Sequence, residues 1–244
     1  MSTLTVVEPK FELMTEPEEF KFIMRKLERA GRTCYKSEKA MREDSADDFI
    51  KKIIDSGHES VIEHAVITGR CIGSRSMSHQ LVRHRIAAYS QESQRYCDYS
   101  GDGDEGLRII VPPSVGKIVP GVYHKPGDAS YWHPVEGTGA EIPDGGLVPD
   151  KITMYMDSVA ASYQAYQDLR EHGIKPEDAR ELLPNATKTE VVTTYNLRTW
   201  RHVFRERALN SHAQWQIKKI MREALAIFAE YLPVIFGDLQ EQVK

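Results

Sequence analysis

The sequence contains no apolar run approaching the ~20 residues of a bilayer span, so no helical membrane anchor is expected. Cysteine is scarce. Cys34, Cys71 and Cys97 are an odd number without C-x-x-C spacing, which argues against a disulfide framework and a cysteine zinc site. A reducing cytoplasm fits that usage, and the opening Met1-Ser2-Thr3-Leu4 lacks the charged and apolar regions of a signal peptide. An excess of positive charge is also missing. The formal net charge of -4 excludes a chain that binds nucleic acid by overall charge, so any anion site must come from local clustering. No internal repeat or low-complexity tail is present.

Two apparent motifs fail on their context. The run Gly101-Asp102-Gly103-Asp104-Glu105-Gly106 matches G-x-G-x-x-G, but no strand precedes it and no apolar helix follows. Its three acids would also repel a pyrophosphate, so it reads as a surface turn. In His58-Glu59-Ser60-Val61-Ile62-Glu63-His64 the histidines are six apart rather than four. Six residues turn a helix through about 240°, so the rings would not converge on a metal, and a hydrogen-bonding role toward a ligand remains open.

What the chain does carry is a dense polar segment from Gln80 to Tyr96, with three arginines, one histidine, three glutamines and two serines. Guanidinium forks suit phosphate or carboxylate, and amides suit the edge of a base-like ring. An anionic, planar ligand is expected there. The 244 residues, 41% of them hydrophobic, are enough for a core and favour a single domain spanning 1–244.

Periodicity predicts a mixed α/β (α+β) fold, with a central sheet flanked by helices. A strand-like start leads to a capping box at Thr15-x-x-Glu18 and a helix through Phe20, Ile23, Met24 and Leu27 to Gly31. Ser45-x-x-Asp48 opens a second helix, which Gly57 follows, and 65–72 reads as a strand. A helix over 74–82 delivers the polar segment. The Gly- and Pro-rich stretch of about 100–150 reads as a long excursion or lid, with a possible hairpin and one apolar run at 107–111. Helices are predicted from Lys151 to Gly173 and over 176–183, then a β-branched strand over 187–195. Asn196 caps a helix carrying Arg198, Arg201, His202, Arg205 and Arg207, whose stripe of Leu197, Trp200 and Phe204 leaves the arginines to face something else. A last helix over 212–232, core or subunit interface, ends at Pro233.

Two arginine clusters without a Gly-rich phosphate loop point to phosphate held by side chains. Ser93 lacks an evident base with an orienting partner, and Cys97 lacks an activating context beyond Arg95, so neither reads as a nucleophile.

Arg83-His84-Arg85, seven residues and then Ser93 resemble the R-H-R-x7-S signature of the flavin-dependent thymidylate synthases. The 57–64 segment is similar to that family's N-terminal block, and Ala179-Arg180-Glu181-Leu182-Leu183-Pro184 to its middle block. Tyr195-Asn196-Leu197-Arg198 through Ser211-His212-Ala213-Gln214-Trp215 resembles its C-terminal block. The resemblance implies a homotetramer of mixed α/β subunits, with FAD bound where subunits meet. It implies methylation of dUMP to dTMP, with methylenetetrahydrofolate as carbon donor and NADPH as reductant of the flavin. It places FAD on His58, Ser60, Glu63, Arg83, His84, Arg85, Ile86, Asn196, Arg198 and His202. It places dUMP on Gln80, Gln91, Ser93, Gln94, Arg95, Arg180 and Arg207, with Arg207 also favouring charge that develops on the pyrimidine. Ser93 is assigned to positioning.

Three features depart from the family pattern. Ala88, Ser90 and Gln91 stand where serine, asparagine and glutamate are frequent, and the 100–150 stretch is larger than expected. The spacing from Arg207 to His212 is one residue longer, which leaves Arg205 as a rival for the Arg207 role. The competing readings are a nucleic-acid-binding module using both arginine clusters with Tyr89, Tyr96 and Trp200, and an oligomeric scaffold with degenerate sites.

Overall fold

The chain starts as a strand in which Leu4 and Val6 are buried and Thr3 is exposed, the period-two pattern of a sheet with one covered face. The structure, a computed structural model, describes residues 2–101, 106–127, 129–142 and 148–243. Among these the strands are β1 (Ser2–Val6), β2 (Lys10–Leu13), β3 (Val66–Ser74), β4 (Ala88–Gln91), β5 (Arg108–Ile109), β6 (Gly121–Lys125), β7 (His133–Pro134) and β8 (Lys188–Asn196). The α-helices are α1 (Pro17–Tyr35), α2 (Ala46–Asp55), α3 (Arg75–Leu81), α4 (Asp150–Glu171), α5 (Pro176–Ala179), α6 (Leu197–Phe204), α7 (Trp215–Tyr231) and α8 (Pro233–Gln240). The class is mixed α/β, as the sequence pattern predicts, and the strands are distributed over two four-stranded sheets.

The chain forms two compact units. The first comprises Met1–Pro9, Gly73–His79 and Gln91–Glu190. Its sheet has the order β5-β1-β6-β7, with β1 parallel to β5 and antiparallel to β6. The register Tyr123↔Pro134 and His124↔His133 makes β6 and β7 an antiparallel pair. Thus the 100–150 stretch contributes three strands to this sheet; Asp102–Glu105 of the apparent glycine motif lie outside the described residues. Helix α4 buries Ile152, Met156, Val159, Tyr163 and Tyr166 in the same core as Leu4, Val6, Ile109, Tyr123 and Trp132.

The second unit comprises Lys10–Ile72, Gln80–Ser90 and Val191–Lys244. The order β2-β3-β8-β4 belongs mainly to it, and β8 alternates strictly, with Val191, Thr193 and Tyr195 buried. Its core is aromatic: Trp200 lies 4.6 Å from Tyr195 and 4.9 Å from Phe228, both edge-on. Such edge-to-face pairs add about 0.5–1.5 kcal/mol each beyond area burial.

Several boundaries differ from those predicted, each for a local reason. The N-cap of α1 is Glu16, whose N–H donates to Glu19 Oε1 at 3.0 Å. Thr15 does not cap because its hydroxyl accepts from Thr68 N at 2.8 Å. Ser45 does precede α2, but its hydroxyl donates to buried Glu28 at 2.6 Å instead of capping. Gly57, at φ 73, ends that region in the left-handed conformation glycine tolerates. The segment after α5 tightens into a 3-10 turn, Arg180–Leu182. Gln214 caps α7, which therefore starts after His212, and Pro233 opens α8 as its first residue. No described helix is long and apolar enough to cross a membrane.

Candidate active site

In the second unit, the cap of α6 sets the site. Asn196 Oδ1 accepts from Thr199 N at 2.8 Å, turning Leu197, Trp200 and Phe204 into the core and leaving Arg198, Thr199 and His202 on the other side. Leu197 N also donates to Ala65 O at 3.1 Å, which brings the 3-10 turn Glu59–His64 alongside α6. The Arg83-His84-Arg85 segment leaves the end of α3, and Tyr89 ties it down. Its hydroxyl lies 2.9 Å from Leu81 O, 2.6 Å from His84 O and 2.7 Å from the Tyr195 hydroxyl.

These three segments enclose a cavity of about 620 Å³, lined by Glu59, Glu63, Arg83, His84, Arg85, Ile86, Asn196, Arg198, Thr199, His202 and Arg205. A volume of that order suits a sizeable organic ligand. Eight of the ten residues expected to hold FAD line it: Glu63, Arg83, His84, Arg85, Ile86, Asn196, Arg198 and His202. His58 and Ser60 are exposed and not among the lining residues; the His58 ring instead meets the Tyr35 hydroxyl at 3.3 Å.

Carboxylates hold the cationic wall in place. Arg198 donates to Glu63 at 2.6 Å. Arg201 is a correction to the sequence reading, in which it faces outward with its neighbours. It is 2% exposed, bonds Asp238 through two N–H groups at 2.7 Å each, and also donates to Ile235 O and Glu59. A buried guanidinium is tolerated only with such saturation of its donors.

A second cavity, about 440 Å³, is lined by Arg83, His84, His202, Glu206, Arg207, Asn210, His212 and Ala213. Arg207 stands on a π-helical turn, Arg205–Leu209, and its Nε donates to His84 Nε2 at 3.0 Å. A π turn absorbs one extra residue, matching the longer Arg207 to His212 spacing. Arg205 and Arg207 therefore have separate surroundings, Arg205 in the larger cavity and Arg207 beside His84. Burial pushes the His84 pKa down to about 4, with the charges of Arg207 and His202 adding to it.

The residues expected to hold dUMP divide between the units. Gln80 and Arg207 belong to the second, and Gln91, Ser93, Gln94, Arg95 and Arg180 to the first. Within the first unit, Arg95 reaches Glu177 at 3.0 Å and Arg180 Nε donates to Glu177 O at 3.0 Å. The Gln91 amide donates to Ser78 at 2.9 Å and Thr189 at 3.2 Å, fixing which way it points, and Ser93 Oγ accepts from Arg95 N at 3.3 Å. Gln94 is buried.

Sequence reasoning leaves four residues of these clusters unassigned. Thr199 and Glu59 line the larger cavity. Arg205 enters the sequence pattern only as a rival to Arg207. Arg75 is the fourth; burial first, and then the charge of Arg180, lower its pKa. The serine-arginine pair at the start of α3 was the only available signal for it. Cys71 is buried, its thiol pushed up to about 12, while Cys34 and Cys97 are exposed.

Residues 22–234 match the thymidylate synthase complementing protein family. The chain belongs to that family. It is 36% identical over 216 residues to a flavin-dependent thymidylate synthase of Geobacter sulfurreducens, covering 86% of this chain and 78% of that protein. It is 35% identical over 219 residues to that of Mycobacterium avium, covering 88% and 78%. Among solved structures, the fold is similar to a UMP/dUMP methylase of Streptomyces cacaoi bound with 5-Br dUMP. The TM-score is 0.70, at 22% identity and 98% coverage of both chains.

Proposed function

We propose that this chain is a flavin-dependent thymidylate synthase, acting as one domain over 1–244, that methylates dUMP to dTMP. The observation that carries the reading is the 620 Å³ cavity, where the arginines of the R-H-R segment meet Arg198 from 115 residues further along (198 minus 83). Guanidinium forks suit the diphosphate of FAD, the Ile86 side chain offers apolar surface, and Asn196 and His202 offer polar edges. The donor set fits the cofactor.

Bound FAD supplies a two-electron relay from NADPH. The overall reaction balances: methylenetetrahydrofolate gives its methylene carbon to C5 of the pyrimidine, one hydride and one proton enter, and tetrahydrofolate and NADP⁺ leave. Arg83, Arg85 and Arg198 hold the cofactor's phosphates. Arg95 and Arg180 grip the nucleotide phosphate, Arg75 adding charge beside them, and the Gln80, Gln91, Ser93 and Gln94 group orients the pyrimidine. Arg207 stabilises negative charge as it develops on that ring. Its bond to His84 keeps the guanidinium fixed before substrate arrives, so little reorganisation is needed. His58 and Ser60, exposed in the single chain, approach FAD in a cytoplasmic homotetramer whose sites lie where subunits meet.

The test is product formation from labelled dUMP. Thymidylate forms only when FAD, NADPH and methylenetetrahydrofolate are all present. Failure of the reconstituted protein to form any contradicts the reading.

A further inference from the structure

Arg198, Arg201 and Arg205 stand at i, i+3 and i+7, which puts three like charges on one helical face. Left alone, such neighbours repel. A single carboxylate, Glu59, is set between them. Its Oε1 accepts from Arg201 Nε at 3.2 Å and Arg205 Nη2 at 3.2 Å, and its Oε2 lies 3.9 Å from Arg198 Nε. Arg201 is itself immobilised by Asp238, so Glu59 is anchored from the core and not from the cavity. The result is an alternating series, Asp238, Arg201, Glu59, Arg205, that ends at the cavity wall.

The last member is the unassigned one. Arg205 has a side chain 43% exposed, one terminal nitrogen on Glu59 and a fork of five N–H donors in all. It lines the same cavity as Arg83, Arg85 and Arg198. We infer that Arg205 is a further cofactor-binding residue, supplying a fourth guanidinium to the phosphates of FAD, and that Glu59 is its positioning residue. This rests on the functional reading above. It goes beyond that reading in giving Arg205 to the cofactor rather than to the nucleotide.

The two roles make opposite predictions for one variant. If Glu59 only neutralised charge, Glu59→Gln would leave the cavity more positive and tighten an anionic ligand. If Glu59 positions Arg205, the same change frees that side chain, while Arg198 stays on Glu63, and weakens the ligand. The experiment is FAD titration of the apo-protein, followed by flavin fluorescence quenching, for wild type, Arg205→Met, Arg205→Lys and Glu59→Gln, with thermal midpoints of the apo-proteins measured alongside. Arg205→Met is expected to raise the FAD Kd about tenfold with an unchanged apo midpoint, Arg205→Lys to recover part of the loss, and Glu59→Gln to weaken FAD severalfold. Wild-type affinity in Arg205→Met, or a lysine variant as weak as the methionine one, overturns the role of Arg205. Tighter binding by Glu59→Gln overturns the role of Glu59. Wild-type protein that takes up no FAD contradicts the functional reading itself, so the two failures are distinguishable.

Discussion

The Arg207 guanidinium donates through Nε to Nε2 of His84 at 3.0 Å. Arginine has only donors to offer, so that ring nitrogen is an acceptor and His84 is the neutral tautomer with its proton on Nδ1. Burial first, and then the neighbouring cationic Arg207 and His202, explain why the ring resists protonation. The bond to His84 also ties the signature segment to the arginine assigned to the pyrimidine.

That pairing predicts a pH dependence of stability. The folded-state pKa of His84, about 4, lies below the ordinary value of 6.5 expected for the unfolded chain. As pH falls below 6.5 the unfolded state takes up the proton first, so the stability contribution present above pH 6.5 is lost progressively down to about pH 4. His84→Gln retains an acceptor but cannot titrate. Its thermal midpoint should fall less than that of wild type between pH 6.5 and 4; parallel curves would contradict the assignment.

Ligand binding should separate by residue. Arg95→Ala is expected to weaken dUMP by roughly 10- to 100-fold, the value of a charge-assisted hydrogen bond to phosphate, while leaving FAD affinity unchanged. Arg198→Ala should weaken FAD first. Separate titrations with each ligand check this, and equal losses of both ligands in both variants would refute the division.

The buried Arg201 should govern stability. Asp238→Ala leaves its guanidinium with Glu59 and a backbone carbonyl but without its two-point partner. A fully buried pair costs about 3–5 kcal/mol to break, but the Asp238 side chain is 51% exposed and Glu59 remains, so a loss of roughly 1–3 kcal/mol is expected. A urea denaturation series reads this directly, and a loss under ~1 kcal/mol, the scale of an exposed pair, would show that Arg201 is not held as described.

Tyr89 and Tyr195 act as one unit on the turn that carries His84. Tyr89→Phe and Tyr195→Phe should each cost about 1 kcal/mol, with the double variant costing less than the sum because the 2.7 Å bond between the hydroxyls is counted in both. Additive losses in denaturant titrations would contradict a direct bond.

Local pattern made much of this legible in the sequence. The alternation of β8, the Asn196 cap and the apolar stripe of α6 are short-range signals, and they place Arg198 and His202 on the open side of the helix. Arg201 was misread because its partner, Asp238, lies 37 residues further on, and its spacing alone resembles that of its exposed neighbours. Thr15 was misread because a residue of β3 competes for its hydroxyl. The rivalry between Arg205 and Arg207 stays open in the sequence because the extra residue between Arg207 and His212 shifts the register, and the π turn that carries both arginines leaves no mark in composition. Family resemblance supplied the ligand sets, but it said nothing of Glu59 as the carboxylate shared by three arginines.

The most direct measurement of the central claim is the visible spectrum of the FAD-loaded protein during titration with dUMP. Flavin absorbance bound to the protein, perturbed saturably by dUMP and not by an unphosphorylated nucleoside, is the predicted result. A protein that takes up no FAD, or a flavin spectrum indifferent to dUMP, would contradict it.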